Sequence, residues 1–559
     1  MKRFIRCLIM VLAAVSAVGG EYTNPILPAD YSDPDVVRVG TDYYMTASSF
    51  NMIPGLPILH SEDLVHWTII GHGIDHNPEA LFSYKNRKVS ELDYDRPRLG
   101  NGVYAPAIRH HGGFFWIYWG DPDAGVYMIK AKDAAGPWSK PVLVHKASGW
   151  IDPCPLWNEI TGKAYLSHAF AKSRAGVNGR IEVVEMSSDG TRLIGEPVTV
   201  FDAENAADFP ADRYHKVIEG TKFMQRDGWV YILCPAGGVE LGWQTVMRSK
   251  NPMGPYEIRT ICETGDTTIN GPHQGGLVDT PAGNWWFIHF QYAGTLGRIV
   301  WLEPAVWKDG WPVIGIDPDG DGMGNPVLRH AAPLPFVEKS IQMSDDFSGS
   351  GLGLQWQWPA NPQADWAEVE QGALFMPAQL IGNTSLINVP GVLTQMFPGY
   401  GFSATVKMQL ESESADVRAG LAVMGKKTFD VGVQPAGEKQ KLSVRYQNIE
   451  LVSTTVPTGC LWLRLETDGE LPLPVKRRKK QKTELTQPYQ VEGLDRWTGT
   501  IQGQFYYSMD GVDFIKFGPG FEVRTGVWIG ARVGLYSVKN NAASSGALRA
   551  DSFDITLPE

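Results

Sequence analysis

The stretch "HGGFFWIYWG" at residues 111–120 contains the pattern that decides the fold, a glycine turn followed by an aromatic strand. The pattern occurs four more times in the first half of the chain. The other instances are "GTDYYMTASS" (40–49), "TGKAYLSHAF" (161–170), "RDGWVYILCP" (226–235) and "AGNWWFIHFQ" (282–291). Each is followed by a strand, a polar or Gly/Pro turn and a further strand. Five units of this kind predict an all-β fold, a five-bladed β-propeller.

The composition limits both the architecture and the class of partner. The chain has 559 residues, which is too many for one hydrophobic core, so at least two domains are expected. Its formal net charge of −11 argues against a nucleic-acid partner, because phosphate contacts need a basic surface. The 19 Trp and 61 Gly residues suit short strands joined by tight turns, with flat aromatic faces for sugars.

The first twenty residues have the features of a secretory signal peptide. Three basic residues, Lys2, Arg3 and Arg6, precede a short apolar run at 8–18, and small residues follow. The run is too short to be a membrane span. We therefore expect a cleaved leader at 1–20, a secreted or periplasmic protein, and no membrane insertion.

The repeat places acidic residues near the central channel of the predicted propeller. The first strand of each unit begins shortly before the aromatic strand, and the first strands line the channel. The residues at that point in the five units are Asp33, Ala105 with Pro106, Asp152, Glu219 and His273. Converging carboxylates repel one another and lose solvation, so packing alone would favour small or apolar residues. The pattern therefore indicates a functional site.

Carboxylates that face one another across a pocket suit the hydrolysis of a glycosidic bond. One protonates the leaving oxygen, and the other acts as a base on water or as a nucleophile. The acid must keep its proton near neutral pH, and a neighbouring carboxylate raises its pKa by like-charge repulsion. Three acids thus divide into an acid, a base and a residue that tunes the pKa of the acid.

The segments around these acids resemble glycoside hydrolase family 43, five-bladed propellers that include β-xylosidases, α-L-arabinofuranosidases and arabinanases. The matching segments, in family order, are "NPILPADYSDPDVVRVGTDYYMTASSF", "GVYAPAIRHHGGFFWIYW", "GWIDPCPLWNEITGKAYL", "IEGTKFMQRDGWVYI", "GPHQGGLVDT" and "GRIVWLEPAVWKDGWPVIG". The resemblance implies that Asp33 is the general base, Glu219 the general acid and Asp152 the pKa modulator. It also implies inversion of the anomeric configuration.

The same resemblance points to further residues of the site. It implies that Arg298 lies near the sugar. It also implies that His273 lines the channel, where some relatives hold a calcium or a water-filled cation site; a hydrogen-bonded core histidine is the alternative. Phe50 and Trp116 are candidates for walls of the sugar pocket, with core packing as the alternative. Asp35 stands where many members carry a small polar residue, so we expect it to be a hydrogen-bonding turn residue.

The second half of the chain has a different sequence pattern. After the Pro-rich "AAPLPF" (331–336), strands alternate apolar and polar residues, which predicts a β-sandwich. The pieces "LGLQWQW", "FYYSMDG", "WIGARVGLYS" and "DSFDITL" resemble the concanavalin A-like domain of family 43 β-xylosidases. In those relatives a loop of this domain narrows the active-site mouth, which favours exo action. We expect the propeller at 21–330, a linker at 331–340 and the sandwich at 341–559.

Two acidic groups are candidates for a structural calcium. Asp345, Asp346 and Asp554 stand near the ends of the predicted sandwich, where such domains hold calcium. The segment "DPDGDG" (317–322) imitates the start of an EF-hand loop, but the position of its last ligand is Leu328. An Asp-Gly turn loop is the favoured interpretation there.

One segment departs from the family pattern. Residues 469–494 are inserted between two predicted strands and contain an unbroken basic run at 476–480. A solvated hairpin loop is the favoured interpretation. Contact with an acidic polymer is the alternative.

The leading hypothesis is an exo-acting, inverting glycosidase that needs no cofactor. It would release terminal α-L-arabinofuranosyl or β-D-xylosyl residues from pentose-containing oligosaccharides or plant-cell-wall polysaccharides such as arabinoxylan. One alternative is a retaining, five-bladed fructan hydrolase, whose Asn-Asp-Pro-Asn motif is loosely similar to "SDPD" (32–35). The other is a non-catalytic carbohydrate-binding propeller with a lectin-like sandwich.

Overall fold

The structure is a computed structural model that describes most of the chain. It covers residues 20–558 except 80–87, 89–90, 92, 266, 268, 270, 338, 383 and 470–500. The predicted leader and basic insertion lie outside the described residues, apart from Gly20 and Gly469. In the part described, regular structure is almost entirely β-strand, and α1 (Lys172–Ala175) is a single helical turn. No helix among these residues has the length and apolar character needed to cross a bilayer.

Five four-stranded antiparallel sheets form the first half, each with its strands paired in chain order. After β1 (Glu21–Thr23), the strands are β2 (Asp35–Val39), β3 (Asp42–Thr46), β4 (Gly55–Ser61) and β5 (Thr68–Ile74); β6 (Tyr104–His111), β7 (Phe114–Asp121), β8 (Gly125–Ala131) and β9 (Val142–Lys146); β10 (Trp150–Asn158), β11 (Lys163–Phe170), β12 (Arg180–Met186) and β13 (Val198–Asp202); β14 (Lys222–Arg226), β15 (Trp229–Ala236), β16 (Trp243–Ser249) and β17 (Glu257–Cys262); β18 (Gly275–Asp279), β19 (Trp285–Tyr292), β20 (Arg298–Lys308) and β21 (Trp311–Ile314). The prediction of a five-bladed propeller is confirmed, and the aromatic repeats are the second strands of the blades.

The first strands of the blades surround the central channel. Strand β2 packs beside β6 and β18, and β10 packs beside β6 and β14. Since each of these strands starts at the same face of the propeller, side chains at their starts converge there. The channel therefore brings together residues that are far apart in sequence.

In four of the five blades, a residue with positive φ lies at or just before the first strand, where the acids are found. Strands β6 and β10 each carry a register shift at this point. The residues inside it, Ala105 and Asp152, have φ of 36° and 57°, and Asp33 and Gly220 have φ of 53° and 69° at matching points. Gly220 thus corresponds to Asp33 and Asp152, and Glu219 lies one residue earlier. The backbone thus places Glu219 one residue before the point that the repeat predicts, because strand alternation does not reveal a positive-φ residue that precedes the strand.

The propeller is tied together near its chain ends. Strand β1 pairs with β22 (Arg329–Ala331). The Asn24 amide donates hydrogen bonds to the carbonyls of Leu302 and Val327 at 2.8 and 2.9 Å. These contacts hold the segment that precedes Asp33 against the fifth blade.

Two antiparallel-rich sheets form the second half. The first sheet contains β23 (Glu368–Glu370), β24 (Ala373–Pro377), β27 (Phe402–Glu411), β32 (Leu461–Asp468), β33 (Gln502–Ser508), β34 (Ile515–Lys516), β35 (Phe521–Glu522) and β37 (Ala547–Thr556). The second contains β25 (Gln379–Leu380), β26 (Leu393–Met396), β28 (Val417–Met424), β29 (Phe429–Ala436), β30 (Lys439–Tyr446), β31 (Ile449–Pro457) and β36 (Arg532–Lys539). The predicted β-sandwich is confirmed.

The propeller and the sandwich share a hydrophobic core. Propeller residues join the buried cluster of the sandwich: Ile269, Ala293, Leu296, Ile299 and Trp301. Ile53 and Trp358 also exchange backbone hydrogen bonds across the interface, at 2.8 and 2.5 Å. The shared core lies beside the start of β20, so the sandwich packs next to Arg298.

Candidate active site

Asp33 is held in the channel mouth by two side chains. Nη1 of Arg298 donates to both carboxylate oxygens of Asp33, at 2.9 and 2.8 Å. Oγ of Ser48 donates to Oδ2 at 2.6 Å and itself accepts a hydrogen bond from Ala105 N at 2.7 Å. Asp33 is only 6% exposed, so these donors fix the orientation of its carboxylate.

Asp152 is the second acid at the mouth, and it is buried. Its Oδ2 accepts a hydrogen bond from Gly220 N at 2.6 Å, which links the third blade to the fourth. The pKa of Asp152 is raised to about 7, first by burial and then by the charge of Asp33, whereas the Gly220 hydrogen bond and the charges of Lys222 and Arg298 oppose the rise. Asp152 therefore exchanges its proton near neutral pH.

Glu219 is the most exposed of the three acids, with 23% of its side chain accessible. Its pKa is raised to about 8, first by burial and then by the charges of Asp152 and Asp33; Arg298 opposes the rise. Nε2 of His273 lies 3.9 Å from Oε1 of Glu219, and burial lowers the pKa of His273 to about 3. A neutral imidazole thus faces a carboxyl group that keeps its proton at neutral pH.

Aromatic rings surround the guanidinium of Arg298. Its Cζ lies 5.8 Å from the ring centre of Phe50, 5.1 Å from that of Phe290 and 5.6 Å from that of Trp528. Tyr104 packs edge-on against Phe50, with ring centres 5.1 Å apart. Trp528 is 52% exposed and belongs to the sandwich, so both domains contribute to the mouth.

Comparisons with known proteins agree with this arrangement. The family described as glycosyl hydrolases family 43 matches residues 22–312, and the beta xylosidase C-terminal concanavalin A-like domain matches residues 344–556. The chain belongs to glycoside hydrolase family 43. It is accordingly a glycosidase, and neither the fructan hydrolase nor the non-catalytic alternative is favoured.

The likeness to individual family 43 proteins extends over both domains. A putative beta-xylosidase of Xylanibacter ruminicola is 37% identical over 516 residues, which is 92% of this chain and 86% of that protein. A non-reducing end alpha-L-arabinofuranosidase of Bacteroides ovatus is 27% identical over 88% of this chain and 89% of that protein. The crystal structure of the family 43 protein BlXynB from Bacillus licheniformis has a TM-score of 0.76 and 26% identity, covering 96% of this chain and 99% of that chain.

His273 lies at the channel of this family 43 enzyme, as the sequence predicts. It is 1% exposed, and its ring packs 5.1 Å from that of Phe290. Among the described residues, neither ring nitrogen has a hydrogen-bond partner. The alternative of a hydrogen-bonded core histidine therefore has no support among the described residues.

The structure does not bring Trp116 to the site, which corrects the expectation for this residue. Trp116 lies on β7 in the core between the second and third blades, where its ring is 5.1 Å from that of Trp157. Its Nε1 donates to the carbonyl of His111 at 3.0 Å. The residue is adjacent to the far turn of the second blade, and a strand pattern alone does not tell which end of the channel it faces.

Asp35 is a buried ion-pair residue of the family 43 propeller and not a turn residue. It is 1% exposed and begins β2. Its Oδ2 accepts hydrogen bonds from Arg109 Nη1 at 2.7 Å and Ile108 N at 2.9 Å, and Arg109 also donates to the carbonyl of Phe223 at 3.1 Å. Asp35 thus ties three channel strands together below the acids.

The acids predicted to hold calcium in the sandwich are not grouped. Within the described ranges, the carboxylates of Asp345, Asp346 and Asp554 form no set close enough to share an ion. Oδ2 of Asp345 instead accepts a hydrogen bond from Trp356 Nε1 at 2.8 Å. Two sets of ligand atoms do lie close together: Asp317, Asp319 and Asp321, and Asp42, His60 and Glu62. In the first set, Asp317 accepts hydrogen bonds from the N–H groups of its own loop, as an Asp-Gly turn does.

Sequence reasoning missed several residues that shape the site. Ser48, Tyr104 and Trp528 lie within the quoted segments, but nothing in those patterns singles them out, and Trp528 lies almost two hundred residues beyond the propeller. The one local signal is at Asp30, which precedes Asp33 in the "ADYSDPD" stretch (29–35). Its contacts with Arg298 and with the sandwich appear only in the tertiary structure.

Proposed function

We propose that this protein is an exo-acting, inverting glycosidase for terminal pentosyl residues. Its substrates are α-L-arabinofuranosyl or β-D-xylosyl groups at the ends of oligosaccharides or plant-cell-wall polysaccharides such as arabinoxylan. The observation that carries the proposal is that two acids in the same mouth have different surroundings. Glu219 keeps its proton up to a pKa of about 8, whereas Asp33 is bound to a guanidinium and a hydroxyl group.

The two acids divide the reaction between them. Asp33 takes a proton from a water molecule, and the oxygen of that water attacks the anomeric carbon. Glu219 gives its proton to the glycosidic oxygen as the bond to the leaving group breaks. Attack from the opposite face inverts the configuration, and the step ends with Asp33 protonated and Glu219 ionised. Proton exchange with solvent restores the starting state.

Asp152 and Arg298 adjust the two acids. The charge of Asp152 helps to raise the pKa of Glu219, so that a protonated acid is present at neutral pH. Arg298 holds the Asp33 carboxylate by two hydrogen bonds from one nitrogen. The proposal therefore gives Asp152 the role of pKa modulator and Arg298 that of a positioning and substrate-binding group.

The walls of the mouth support exo action. Phe50 of the propeller and Trp528 of the sandwich both lie close to the Arg298 guanidinium, with ring centres 5.8 and 5.6 Å from its Cζ. A mouth walled by both domains suits the end of a chain or a side branch better than the middle of a polymer. The names of the similar proteins include both a beta-xylosidase and an alpha-L-arabinofuranosidase, so the proposal retains both sugars.

The roles of the acids are tested by varying the leaving group. Wild type, Asp33→Asn and Glu219→Gln are assayed on aryl β-D-xylosides and aryl α-L-arabinofuranosides whose phenols differ in acidity. Glu219→Gln should lose most rate on poor leaving groups and little on activated ones, because only a poor leaving group needs the proton. Asp33→Asn should lose rate on all of them. Glu182→Gln is the control, since Glu182 is a partly buried acid on β12, the third strand of its blade and not a channel strand.

The stereochemistry is tested by NMR of the first-formed sugar. An inverted anomer is expected before mutarotation equilibrates the product. Early formation of the retained anomer would contradict the role of Asp33 as a base on water.

We further propose that the protein is exported through the leader at 1–20 and that hydrolysis needs no metal. Amino-terminal sequencing of the protein from the periplasm or medium tests the first point, and a start at residue 1 would contradict it. Exhaustive treatment with a chelator tests the second, with unchanged kcat expected. A fall in thermal midpoint without a fall in kcat would indicate a structural calcium, for which the Asp317–Asp321 loop is the candidate.

A further inference from the structure

The carboxylate of Asp30 lies at the junction of the propeller, the sandwich and the active-site mouth. Its Oδ1 accepts hydrogen bonds from Arg298 N at 2.8 Å and from Ser32 Oγ at 2.9 Å. Its Oδ2 accepts a hydrogen bond from Gly530 N, in the sandwich, at 2.7 Å. Asp30 is 5% exposed, so each oxygen is satisfied by protein donors from a different domain.

On the propeller side, Asp30 fixes the backbone of the residue that holds the base. Arg298 begins β20, and its guanidinium binds both oxygens of Asp33. The preceding Gly297 has φ of 86°, and a Cβ there would lie 2.4 Å from Oδ1 of Asp30. The backbone at 297–298 is therefore pressed against the Asp30 carboxylate, without room for a side chain.

On the sandwich side, Asp30 fixes the loop that carries Trp528. Gly530 is two residues after Trp528, whose ring lies 5.6 Å from Cζ of Arg298. A Cβ on Gly530 would lie 2.2 Å from the carbonyl oxygen of Leu296, so this loop also packs directly on the propeller backbone. Trp528 itself has φ of 64°, a conformation that the contacts of its loop must maintain.

A buried charge on the sandwich depends on the same carboxylate. Arg532 is 4% exposed and donates hydrogen bonds to the neutral groups of Thr394 and Gln357. Burial lowers the pKa of Arg532 to about 10, and the charge of Asp30 opposes this. The Gly530 N–H and the Arg532 guanidinium thus both connect the sandwich to the Asp30 carboxylate.

We propose that Asp30 is a positioning residue that couples docking of the sandwich loop 526–531 to the placement of Arg298 and, through it, of Asp33. The inference rests on the proposed role of Asp33 as the base. Its consequence is that the pocket wall at Trp528 and the orientation of the base are assembled together. The sandwich then contributes to kcat as well as to binding of the sugar.

The first test compares two buried aspartates that join the propeller to the rest of the chain. Asp63 is the control, because it is buried and accepts a hydrogen bond from Val337 N at 2.8 Å, on the outer side of the first blade. Asp30→Asn keeps the shape of the side chain. Its amide NH₂ group would then face the backbone N–H of Arg298 or of Gly530, where the carboxylate had an accepting oxygen. The variant should lower kcat on aryl pentosides about 100-fold with a small change in KM. Asp63→Asn should lower the thermal midpoint and leave kcat unchanged.

A double-mutant cycle separates positioning from general destabilisation. If Asp30 acts through the loop, Trp528→Ala should cost much less rate in the Asp30→Asn background than in wild type. In the Asp63→Asn background it should cost as much as in wild type. Additive effects in both backgrounds, or an unchanged kcat in a folded Asp30→Asn, would overturn the inference.

A second variant and a readout without catalysis complete the test. Gly530→Ala pushes the loop away from Leu296 and leaves the Asp30 charge in place, so it should reproduce the loss in kcat even where Asp30→Asn fails to fold. Hydrogen–deuterium exchange at 526–531 should rise in either variant, and unchanged exchange would overturn the inference. If the wild type has no activity on the pentosides, only the proposed function is contradicted. Hydrogen–deuterium exchange at 526–531 still tests whether Asp30 docks the loop.

Discussion

At the scale of residues, chemically similar carboxylates behave differently because their neighbours differ. Asp33 is bound by a guanidinium and a hydroxyl group, whereas Glu219 lies beside two other carboxylates in a buried mouth. Like charges and burial both favour the protonated form. The unequal surroundings therefore supply a base and an acid from the same functional group.

Replacing Asp152 should move the alkaline limb of the pH–rate profile. The charge of Asp152 is the second cause of the raised pKa of Glu219, after burial. Asp152→Asn removes this charge and keeps an oxygen for the Gly220 N–H, so the limb of kcat/KM near pH 8 should shift to lower pH. Because burial remains, the shift is partial. A limb that stays in place would contradict the role of Asp152 as a pKa modulator.

Replacing Glu219 should stabilise the protein at alkaline pH. Its folded pKa of about 8 lies above the value of about 4.3 for an unperturbed Glu. The folded state thus binds the proton more tightly, and the stability from this group is complete below the unfolded pKa and is lost as pH rises toward 8. Glu219→Gln should gain thermal midpoint over wild type from pH 4 to pH 8. A gain of equal size at both pH values would show that the cause is packing and not titration.

At the scale of elements, a left-handed backbone at the entry to the channel strands directs the acids. Asp33, Asp152 and Gly220 share a left-handed backbone at this point, and the Gly220 N–H binds Asp152. Glycine adopts this conformation without a steric penalty, whereas other residues pay about 1–2 kcal/mol. The left-handed Gly220 therefore brings Glu219 near the aspartates, although Glu219 is one residue out of register with them.

Comparing Ala variants at two glycines with similar φ distinguishes the cost of backbone strain from an effect on catalysis. Gly220 has φ of 69°, and a Cβ there would meet Cδ of Pro235 at 2.9 Å; Gly162 has φ of 67° and open space. Both Gly220→Ala and Gly162→Ala should lower the free energy of unfolding by about 1–2 kcal/mol or more. Gly220→Ala should also lower kcat between about 10- and 100-fold. Equal kcat in the two variants would show that the left-handed backbone at Gly220 does not position Glu219.

At the scale of the whole molecule, the two domains behave as one body around the active site. Leu296 and Trp301 of the propeller lie in the same buried cluster as the core of the sandwich. Separating the domains would expose this apolar surface to water, which is unfavourable. The active-site mouth sits at this shared core, so the stability of the interface and the geometry of the site are linked.

The shared core predicts a single calorimetric unfolding transition for the wild type. Leu296→Ala should lower stability by about 2–5 kcal/mol and separate or broaden the transition, because it weakens the contact between domains. Leu421→Ala, which creates a similar cavity inside the sandwich, is the control and should leave one transition. Two separate transitions in the wild type would contradict a cooperative interface.

By itself, the sequence determined the repeated features of this protein. Short segments of sequence contain the five aromatic strands, the alternating strands of the sandwich, and the acids Asp33, Asp152 and Glu219. Periodicity and local motifs act between near neighbours along the chain, so they can be recognised without a structure. They predicted the five blades and the sandwich, and the structure brings the three acids and Arg298 together in one mouth.

Only the tertiary structure decided which side chains complete the mouth. Trp116 was a candidate wall of the sugar pocket and Asp35 a predicted turn residue, but both lie in buried contacts between blades. Trp528 reaches the mouth from the sandwich, and Asp30 joins Gly530 across 500 positions of sequence. Contacts of that separation depend on how the blades close and how the domains pack, and no local pattern encodes either.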